Sequence, residues 1–201
     1  MEKIKRAIVS CYDKRGVVEF AQVLREFDVE IVSTANTRQA LLDGVVEAMP
    51  IADFTGVPEM LDGRVKSLHP KIHAGLLAIR DKKLHVEQMQ AHEFKWIDMV
   101  VVNLHPVVEL MRQPRITPEE VVEQIDIGGT ALVRSAAKNF RYVAIVVNPD
   151  RYKAVIHEMR AHDGGLSYAT RYRLAQEAFA SIAQYDKTIA DYLSSTQPSE
   201  E

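Results

Sequence analysis

The stretch DMVVVN, from Asp98 to Asn103, is the strongest strand signal in the chain. Four apolar residues, three of them valines, stand between two polar ones, and a run of this length predicts a strand buried on both faces of a sheet. Further strands are predicted over Arg6–Ser10, Glu30–Ser33, Val46–Asp53, Leu76–Ile79 and Tyr142–Val147. Segments with helical spacing separate these strands, which indicates an α/β fold with a parallel sheet between layers of helices.

The predicted helices occupy Val17–Phe27, Thr37–Leu42, Lys82–His92, Thr117–Gln124, Gly129–Asn139, Pro149–Ala161 and Ser167–Leu193. Thr117 is followed by Pro118 and, three positions on, by Glu120, which is the pattern of a capping box. The helical pattern after Ser167 is long enough for one helix or two. We therefore expect a single domain over residues 1–193, with additional C-terminal helices, and a flexible polar tail over residues 194–201.

Composition excludes several classes of protein. The chain has 201 residues, of which 47% are hydrophobic and 26% charged, so it can form a sizeable core and is neither disordered nor a disulfide scaffold. Its formal charge of −3 lacks the basic surplus expected of a nucleic-acid-binding protein. The single cysteine, Cys11, favours a reducing compartment. Neither a signal peptide nor a membrane-spanning apolar run is present, so we expect a cytoplasmic protein with no membrane partner.

Two loops that follow predicted strands are candidate phosphate sites. The first runs from Ser10 to Gly16 and contains Lys14, and the second reads Ser33-Thr34-Ala35-Asn36-Thr37. Hydroxyl groups and free backbone N–H groups at the start of a helix suit a phosphate, to which a lysine adds a positive charge. Ordinary helix capping by serine and threonine explains the same pattern equally well.

Three other segments combine polar residues with turns. The run GRVKSLHPKIH, from Gly63 to His73, is the densest basic stretch and fits either an anion clamp or a surface loop. Its two histidines are four residues apart, but Pro70 lies between them and the glutamate of a His-Glu-x-x-His zinc motif is missing. Asn103 to Pro106 follows the strongest strand. Asp126 to Gly129 offers a carboxylate and two glycines, or simply a helix end and a turn.

Taken together, these segments resemble the IMP cyclohydrolase family, the amino-terminal domain of the bifunctional AICAR transformylase/IMP cyclohydrolase proteins. The most specific match is the run GRVKSLHPKIHAG, from Gly63 to Gly75. The remaining matching segments are Ser10–Gly16, Ser33-Thr34 with Thr37, Asp53–Gly56, Pro58–Asp62, Val101–Leu104, Ile125–Gly129, Arg134–Asn139, Pro149 with Tyr152, Thr170-Arg171 and Tyr185-Asp186.

The resemblance implies a methylglyoxal-synthase-like three-layer sandwich with a parallel central sheet. It implies a hydrolase acting on cyclic amidines, which closes 5-formamidoimidazole-4-carboxamide ribotide to IMP with loss of water, in the last step of purine biosynthesis. It implies no cofactor and no metal, a purine ribotide as substrate and a homodimer. Because the sequence ends at Glu201, we expect a stand-alone domain, with a separate AICAR transformylase as a partner.

The resemblance also implies the site residues. The phosphate would be held by Ser10, Lys14, Thr34, Ala35, Asn36 and Thr37, and the base by Arg64, Ser67, Asn103, Ile127 and Gly128. The catalytic groups would be Lys66, Asp126, Lys138 and His105, with a Lys138–Asp126 pair moving protons and Lys66 near the developing oxyanion.

The sequence departs from the family pattern at three places. Ala35 and Asn36 replace two glycines of the usual Ser-Thr-Gly-Gly-Thr loop, and alanine tolerates a positive φ poorly, so we expect a loop of different shape. His105 replaces a tyrosine, and Ser67 replaces a threonine. Two other readings therefore stay open. One is a non-catalytic purine-nucleotide-binding module that assists a separate transformylase, and the other is a lyase of the methylglyoxal-synthase type.

Overall fold

A computed structural model describes residues 1–196 of the chain. Its sheet has five parallel strands in the order β3-β2-β1-β4-β5. The strands are β1 (Arg6–Cys11), β2 (Glu30–Ser33), β3 (Met49–Pro50), β4 (Met99–Asn103) and β5 (Ala144–Val146). The predicted parallel α/β sheet is confirmed, and the stretch from Met99 to Asn103 forms an interior strand between β1 and β5.

Helices connect the strands and cover both faces of the sheet. They are α1 (Val17–Glu26), α2 (Ala35–Asp43), α3 (Ile51–Thr55), α4 (Pro70–Leu77), α5 (Lys83–Ala91), α6 (Val107–Met111), α7 (Pro118–Glu123), α8 (Ile127–Lys138), α9 (Tyr152–Ala161) and α10 (Tyr168–Ser195). A short 3₁₀ helix, Pro149–Arg151, precedes α9. None of the helices within residues 1–196 combines the length and apolar character needed to cross a bilayer.

The two faces of the sheet bury separate cores, because successive residues of a strand point to opposite sides. Ala7 and Val9 of β1 face the core that contains Phe20 of α1 and Met159 of α9. Ile8, between them, faces the other core, which is built by α4, α8 and the first half of α10. The result is the expected three-layer sandwich.

One predicted strand is shorter than expected, and another is wrong. Val46–Asp53 contributes only Met49 and Pro50 to the sheet before α3 begins at Ile51. Leu76–Ile79 is not a strand, since Leu76 belongs to α4 and Ala78 ends that helix. Ile72 and Leu76 are four residues apart and both fully buried, so they share one face of a helix, which a short apolar run does not reveal.

The ends of several helices agree with the sequence patterns. The Thr117 hydroxyl accepts a hydrogen bond from the Glu120 N–H (3.2 Å), and the Glu120 carboxylate accepts one from the Thr117 N–H (2.8 Å), which confirms the capping box. The region after Ser167 forms one unbroken helix. Ser194 and Ser195, assigned to the tail by the sequence, form its last turn, and residues 197–201 lie outside the described part of the chain.

The topology selects the position of a ligand site. The chain passes from β1 to β2 and β3 on one side, then returns through β4 to β5 on the other. The order therefore reverses between β1 and β4, and in open parallel sheets ligands bind at such a switch point, beyond the carboxyl ends of the strands. Cys11 and Asn103 are register partners at this edge.

Candidate functional site

Hydroxyl side chains meet where β1 and β2 end. The oxygens of Ser10 Oγ and Thr34 Oγ1 are 2.9 Å apart and share a hydrogen bond. The hydroxyl of Ser33 points inward and donates to the Val9 carbonyl (2.8 Å). Ser10 and Thr34 therefore face the switch point as a pair, whereas Ser33 ties the two strands together.

Thr37 has a largely structural position. Its hydroxyl accepts from the Cys11 N–H (2.9 Å) and donates to the Cys11 carbonyl (3.0 Å), and the residue is 1% exposed. The proton of the Thr37 hydroxyl is therefore already used in a hydrogen bond to the Cys11 carbonyl of β1. Thr37 holds the start of α2 against the end of β1 and so fixes the distance between the two loops.

The amino end of α2 is open toward solvent. Thr34 is its N-cap residue but makes no side-chain capping bond, and the exposed residues Ala35 and Asn36 form its first turn. Neither residue has a positive φ. The helix begins at Ala35, so the alanine at a glycine position stands in ordinary helical backbone without strain. The first N–H groups of a helix carry a partial positive charge that suits an anion.

Lys14 lies in the loop between β1 and α1. It is exposed, and its ammonium group is 3.4 Å from the Tyr12 carbonyl. The neighbouring Asp13 forms an ion pair with Arg15 (2.7 Å), and the bond from the Arg15 N–H is the main cause of a lowered pKa of Asp13. Gly16 ends the loop in a left-handed conformation (φ 65°), which a glycine adopts without strain.

Asn103 is the last residue of β4, and His105 follows two positions later. The side chain of Asn103 is bonded to the backbone of Asp13 at both ends of its amide. The ring of His105 contacts that of Tyr12 edge-on, with centroids 4.3 Å apart and planes at 68°. Among residues 1–196, no partner is found for the buried Nδ1 of His105. Tyr12, which is 50% exposed, is a site residue that sequence reasoning did not select.

The basic loop is a tight turn that contacts two helices. Met60 and Val65 form an antiparallel bridge, and the residues between them include three with positive φ, Leu61, Asp62 and Gly63. Arg64, expected to contact the base, is paired with the carboxylate of Glu123 in α7 through two hydrogen bonds, one of them 3.0 Å long. The side chain of Lys66 follows; it is exposed, and it forms no ion pair with another described residue.

Ser67 connects the basic loop to α8. It is buried, and a Cβ atom added to Gly128 would stand 2.5 Å from Ser67 Oγ. Only a glycine at position 128 therefore allows the loop to lie this close. Ile127 beside it is 58% exposed and adds an apolar surface at the mouth of the site.

The two histidines of the basic run have different partners. His69 caps α4 by accepting from the Lys71 N–H through Nδ1 (3.1 Å). His73, one turn later, shares a hydrogen bond with Ser135 of α8 (2.9 Å). Burial lowers the pKa of His73, so its ring is neutral at pH 7. Both side chains therefore serve to place α4 and the loop before it.

Asp126 stands at the amino end of α8. Its Oδ1 accepts from the Gly129 N–H (2.6 Å), so it is the N-cap of this helix rather than the end of the preceding one. Its own N–H donates to the hydroxyl of Tyr185 in α10 (2.8 Å). A Cβ atom added to Gly129 would clash with Asp126 Oδ2 and would stand 2.7 Å from Leu104 Cδ2, so the carboxylate lies near Leu104.

Lys138 does not meet Asp126 within one chain. The two residues stand at opposite ends of α8, and a rise of 1.5 Å per residue separates their backbones by about 18 Å. Lys138 is exposed at the edge where the strands begin, next to Asn139, which donates to the carbonyls of Leu76 and Ala78. The expected Lys138–Asp126 pair is therefore wrong for a single chain, because the helix runs antiparallel to the strands.

Sequence reasoning missed Glu123, and it named Tyr185 only as part of the family resemblance, without a role. Each forms its bond with a residue 59 positions away, and no local pattern indicates such a pairing. A tyrosine and an acidic residue on amphipathic helices give no signal that separates them from ordinary surface residues.

Comparisons with known proteins agree with the fold. A family profile described as "MGS-like domain" matches residues 16–131, and one described as "AICARFT/IMPCHase bienzyme" matches residues 136–201. The bifunctional purine biosynthesis protein PurH of Neisseria meningitidis is 51% identical over 195 residues, which is 97% of this chain and 37% of that protein. PurH of Chloroflexus aurantiacus is 52% identical over 192 residues, again covering 37% of the relative.

A solved structure shows the same architecture. The crystal structure of ForH is 32% identical, with a TM-score of 0.82, and the alignment covers 93% of this chain and 97% of that one. The present chain spans a little over a third of the length of the PurH relatives it matches. It belongs to the family of MGS-like domains, and it corresponds to the IMP cyclohydrolase domain of the bifunctional purine biosynthesis proteins PurH.

Proposed function

We propose that this protein is an IMP cyclohydrolase, which closes the pyrimidine ring of 5-formamidoimidazole-4-carboxamide ribotide and releases water. The observation that carries the proposal is the identity of half its residues with PurH proteins along nearly the whole chain. The site at the β1–β4 switch point supports it, because it combines an anion-binding end with acid–base groups.

The 5′-phosphate of the substrate binds at the open start of α2. Its oxygens accept from the Ser10 and Thr34 hydroxyls and from the N–H groups of Ala35 and Asn36, while Thr37 holds this turn in place. Lys14 swings from the Tyr12 carbonyl to the phosphate and adds a charge-assisted bond. The anchor fixes one end of a substrate whose reacting groups are intramolecular.

The base lies between the basic loop and the start of α8. Arg64 and Asn103 line this region, and Ser67, Ile127 and Gly128 form its floor. Holding the carboxamide nitrogen against the formyl carbon in a near-attack geometry supplies several kcal/mol of the barrier, about 7–11 kcal/mol at most.

Ring closure forms one bond and breaks another. The carboxamide nitrogen attacks the formyl carbon and loses a proton to Asp126, while Lys66 stabilises the negative charge that develops on the formyl oxygen. That oxygen is protonated and leaves as water, and the formamide nitrogen gives up its proton as the C=N bond forms. His105 stands beside Tyr12 at this end of β4 and supplies the proton for the leaving oxygen.

Lys138 has no place in this single-chain centre, because α8 separates it from Asp126. The same separation favours a second candidate function, a purine-nucleotide-binding module without turnover. We also propose that the protein forms a homodimer and that it associates with a separate AICAR transformylase. Analytical ultracentrifugation of the protein, alone and mixed with a transformylase, tests both.

A single-turnover assay that follows IMP formation from the formamido ribotide tests the proposed function. We expect turnover by the wild type, a loss of roughly 10²-fold or more in kcat for Lys66→Ala and for Asp126→Asn, and no change for Lys95→Ala, an exposed lysine outside the site. Nucleotide binding by the wild type without any turnover would instead establish the binding module.

A further inference from the structure

We propose that Tyr185 is a positioning residue for Asp126 in ring closure; the inference rests on the proposed function. Tyr185 lies on α10, beyond the last buried residue of that helix, Ile182. Its hydroxyl oxygen accepts from the backbone N–H of Asp126 at 2.8 Å. It thus reaches the one residue of α8 to which the proposed mechanism assigns a proton transfer.

The need for this contact follows from how α8 begins. The N–H of an N-cap residue has no partner inside its helix. In a capping box the side chain at the third helical position accepts that N–H, as Glu120 does for Thr117 at the start of α7. In α8 the corresponding position is Gly129, which has no side chain. Tyr185 supplies from another helix the acceptor that α8 lacks.

Gly129 is itself required by packing. A Cβ atom at this position would stand 2.7 Å from Leu104 Cδ2, at the end of β4. The close approach of α8 to β4 brings Asp126 to the switch point, and it excludes the local capping side chain. The close packing of α8 and the tyrosine cap are therefore two parts of one arrangement.

Two bonds then fix the carboxylate. The Gly129 N–H holds Oδ1 at 2.6 Å, and Tyr185 holds the backbone N–H of the same residue. Oδ2 is left to take the proton of the carboxamide. Burial raises the pKa of Tyr185, so the hydroxyl stays protonated and neutral across the pH range of an assay. Loss of this hydroxyl frees the Asp126 backbone without removing the carboxylate.

The first test is Tyr185→Phe, which keeps the ring and removes the acceptor. We expect kcat to fall about 10-fold with KM changed less than about 2-fold, because orientation of a reacting group is lost and ground-state binding is kept. The matched control is Tyr192→Phe, seven residues on along the same helix and also partly buried, which leaves both constants unchanged. An unchanged kcat in Tyr185→Phe overturns the proposal.

A double-mutant cycle separates positioning from a general loss of structure. If Tyr185 acts through Asp126, the chain with both Asp126→Asn and Tyr185→Phe is no slower than the chain with Asp126→Asn alone. Asparagine is chosen because it caps a helix as well as aspartate does. Multiplicative losses in the double variant contradict the proposal.

The third test does not depend on catalytic turnover. Hydrogen exchange of the Asp126 amide, followed by NMR, is expected to be at least about 10-fold faster in Tyr185→Phe than in the wild type, and unchanged in Tyr192→Phe. Equal exchange rates in all three proteins refute the contact. If the wild type makes no IMP, the proposed function fails, and this measurement still decides whether Tyr185 holds Asp126.

Discussion

The side-chain amide of Asn103 is bonded at both ends to the backbone of Asp13. Its Oδ1 accepts from the Asp13 N–H at 2.7 Å, and its Nδ2 donates to the Asp13 carbonyl at 2.9 Å. Asn103 and Cys11 are the last register partners of β4 and β1. The Asn103 side chain therefore adds one further pair of hydrogen bonds between the two segments, beyond the end of the sheet. It holds the loop that carries Lys14.

Asn103→Ala removes both of these hydrogen bonds. We expect the free energy of unfolding to fall by about 1–3 kcal/mol, because two backbone groups of Asp13 lose their partner in a half-buried position. Urea unfolding measures this loss, and isothermal titration with IMP reports a parallel loss of affinity as the loop loosens. Wild-type values in both measurements would show that these two hydrogen bonds are dispensable.

Lys14→Ala weakens nucleotide binding more than it slows the bound-state chemistry. A contact to a remote phosphate is shared by the ground state and the transition state, so KM and the Kd for IMP rise about 10- to 100-fold while kcat is kept. Lys5→Ala, at the opposite edge of the sheet, serves as the control. A variant with normal KM and reduced kcat would assign Lys14 to the reaction rather than to the anchor.

Gly128→Ala places a methyl group against the Ser67 hydroxyl, at 2.5 Å from Oγ. We expect a loss of about 1–3 kcal/mol in thermal or urea unfolding, since overpacking forces the buried serine or its loop to move. Adding Ser67→Ala to the same chain removes the clashing oxygen and restores the stability. A single variant as stable as the wild type would mean that the serine simply rotates away.

His105→Tyr tests the role of the histidine as a proton donor. The phenol of a tyrosine can also donate a proton, so we expect His105→Tyr to keep activity, measured as kcat for IMP formation. His105→Ala is expected to lose more activity than His105→Tyr, because it leaves no donor beside Tyr12. Equal kcat values for the three proteins would make His105 a bystander.

Cys11 makes the fold sensitive to alkali. Burial raises the pKa of its thiol to about 11, above the ordinary value of 9.0. Between these two values the unfolded chain has lost the proton that the folded chain keeps, so stability is complete below pH 9 and falls as the pH rises through this window. One proton over this range corresponds to roughly 2–3 kcal/mol.

The check is urea unfolding of the wild type and of Cys11→Ala at pH 7.5 and at pH 10.5. The wild type is expected to lose more stability between the two values than the variant. Tyr152, whose pKa burial also raises, contributes an alkaline loss of its own in both proteins. Equal losses in the two proteins would assign the whole effect to other groups.

Much of the fold follows from patterns within a few residues. The strand Glu30–Ser33 has the predicted bounds, and β4 differs from its prediction by one residue, because short apolar runs between polar residues are buried in any parallel sheet. The capping box of Thr117 depends only on a residue three positions away. Leu76 shows the limit of such patterns, since an apolar run of four residues fits a strand and a buried helix equally well.

The features of the candidate site likewise separate into those that local sequence patterns predict and those that depend on long-range contacts. The sequence alone determined which residues carry hydroxyls, cations and carboxylates after the strands, and that β1 and β4 bring Ser10 and Asn103 to one edge. Only the tertiary structure decided that Lys138 faces away from Asp126, and that Arg64 and Asp126 bind partners 59 positions away. Periodicity and capping are properties of neighbouring residues, whereas a contact between helices depends on how the whole chain packs around the sheet.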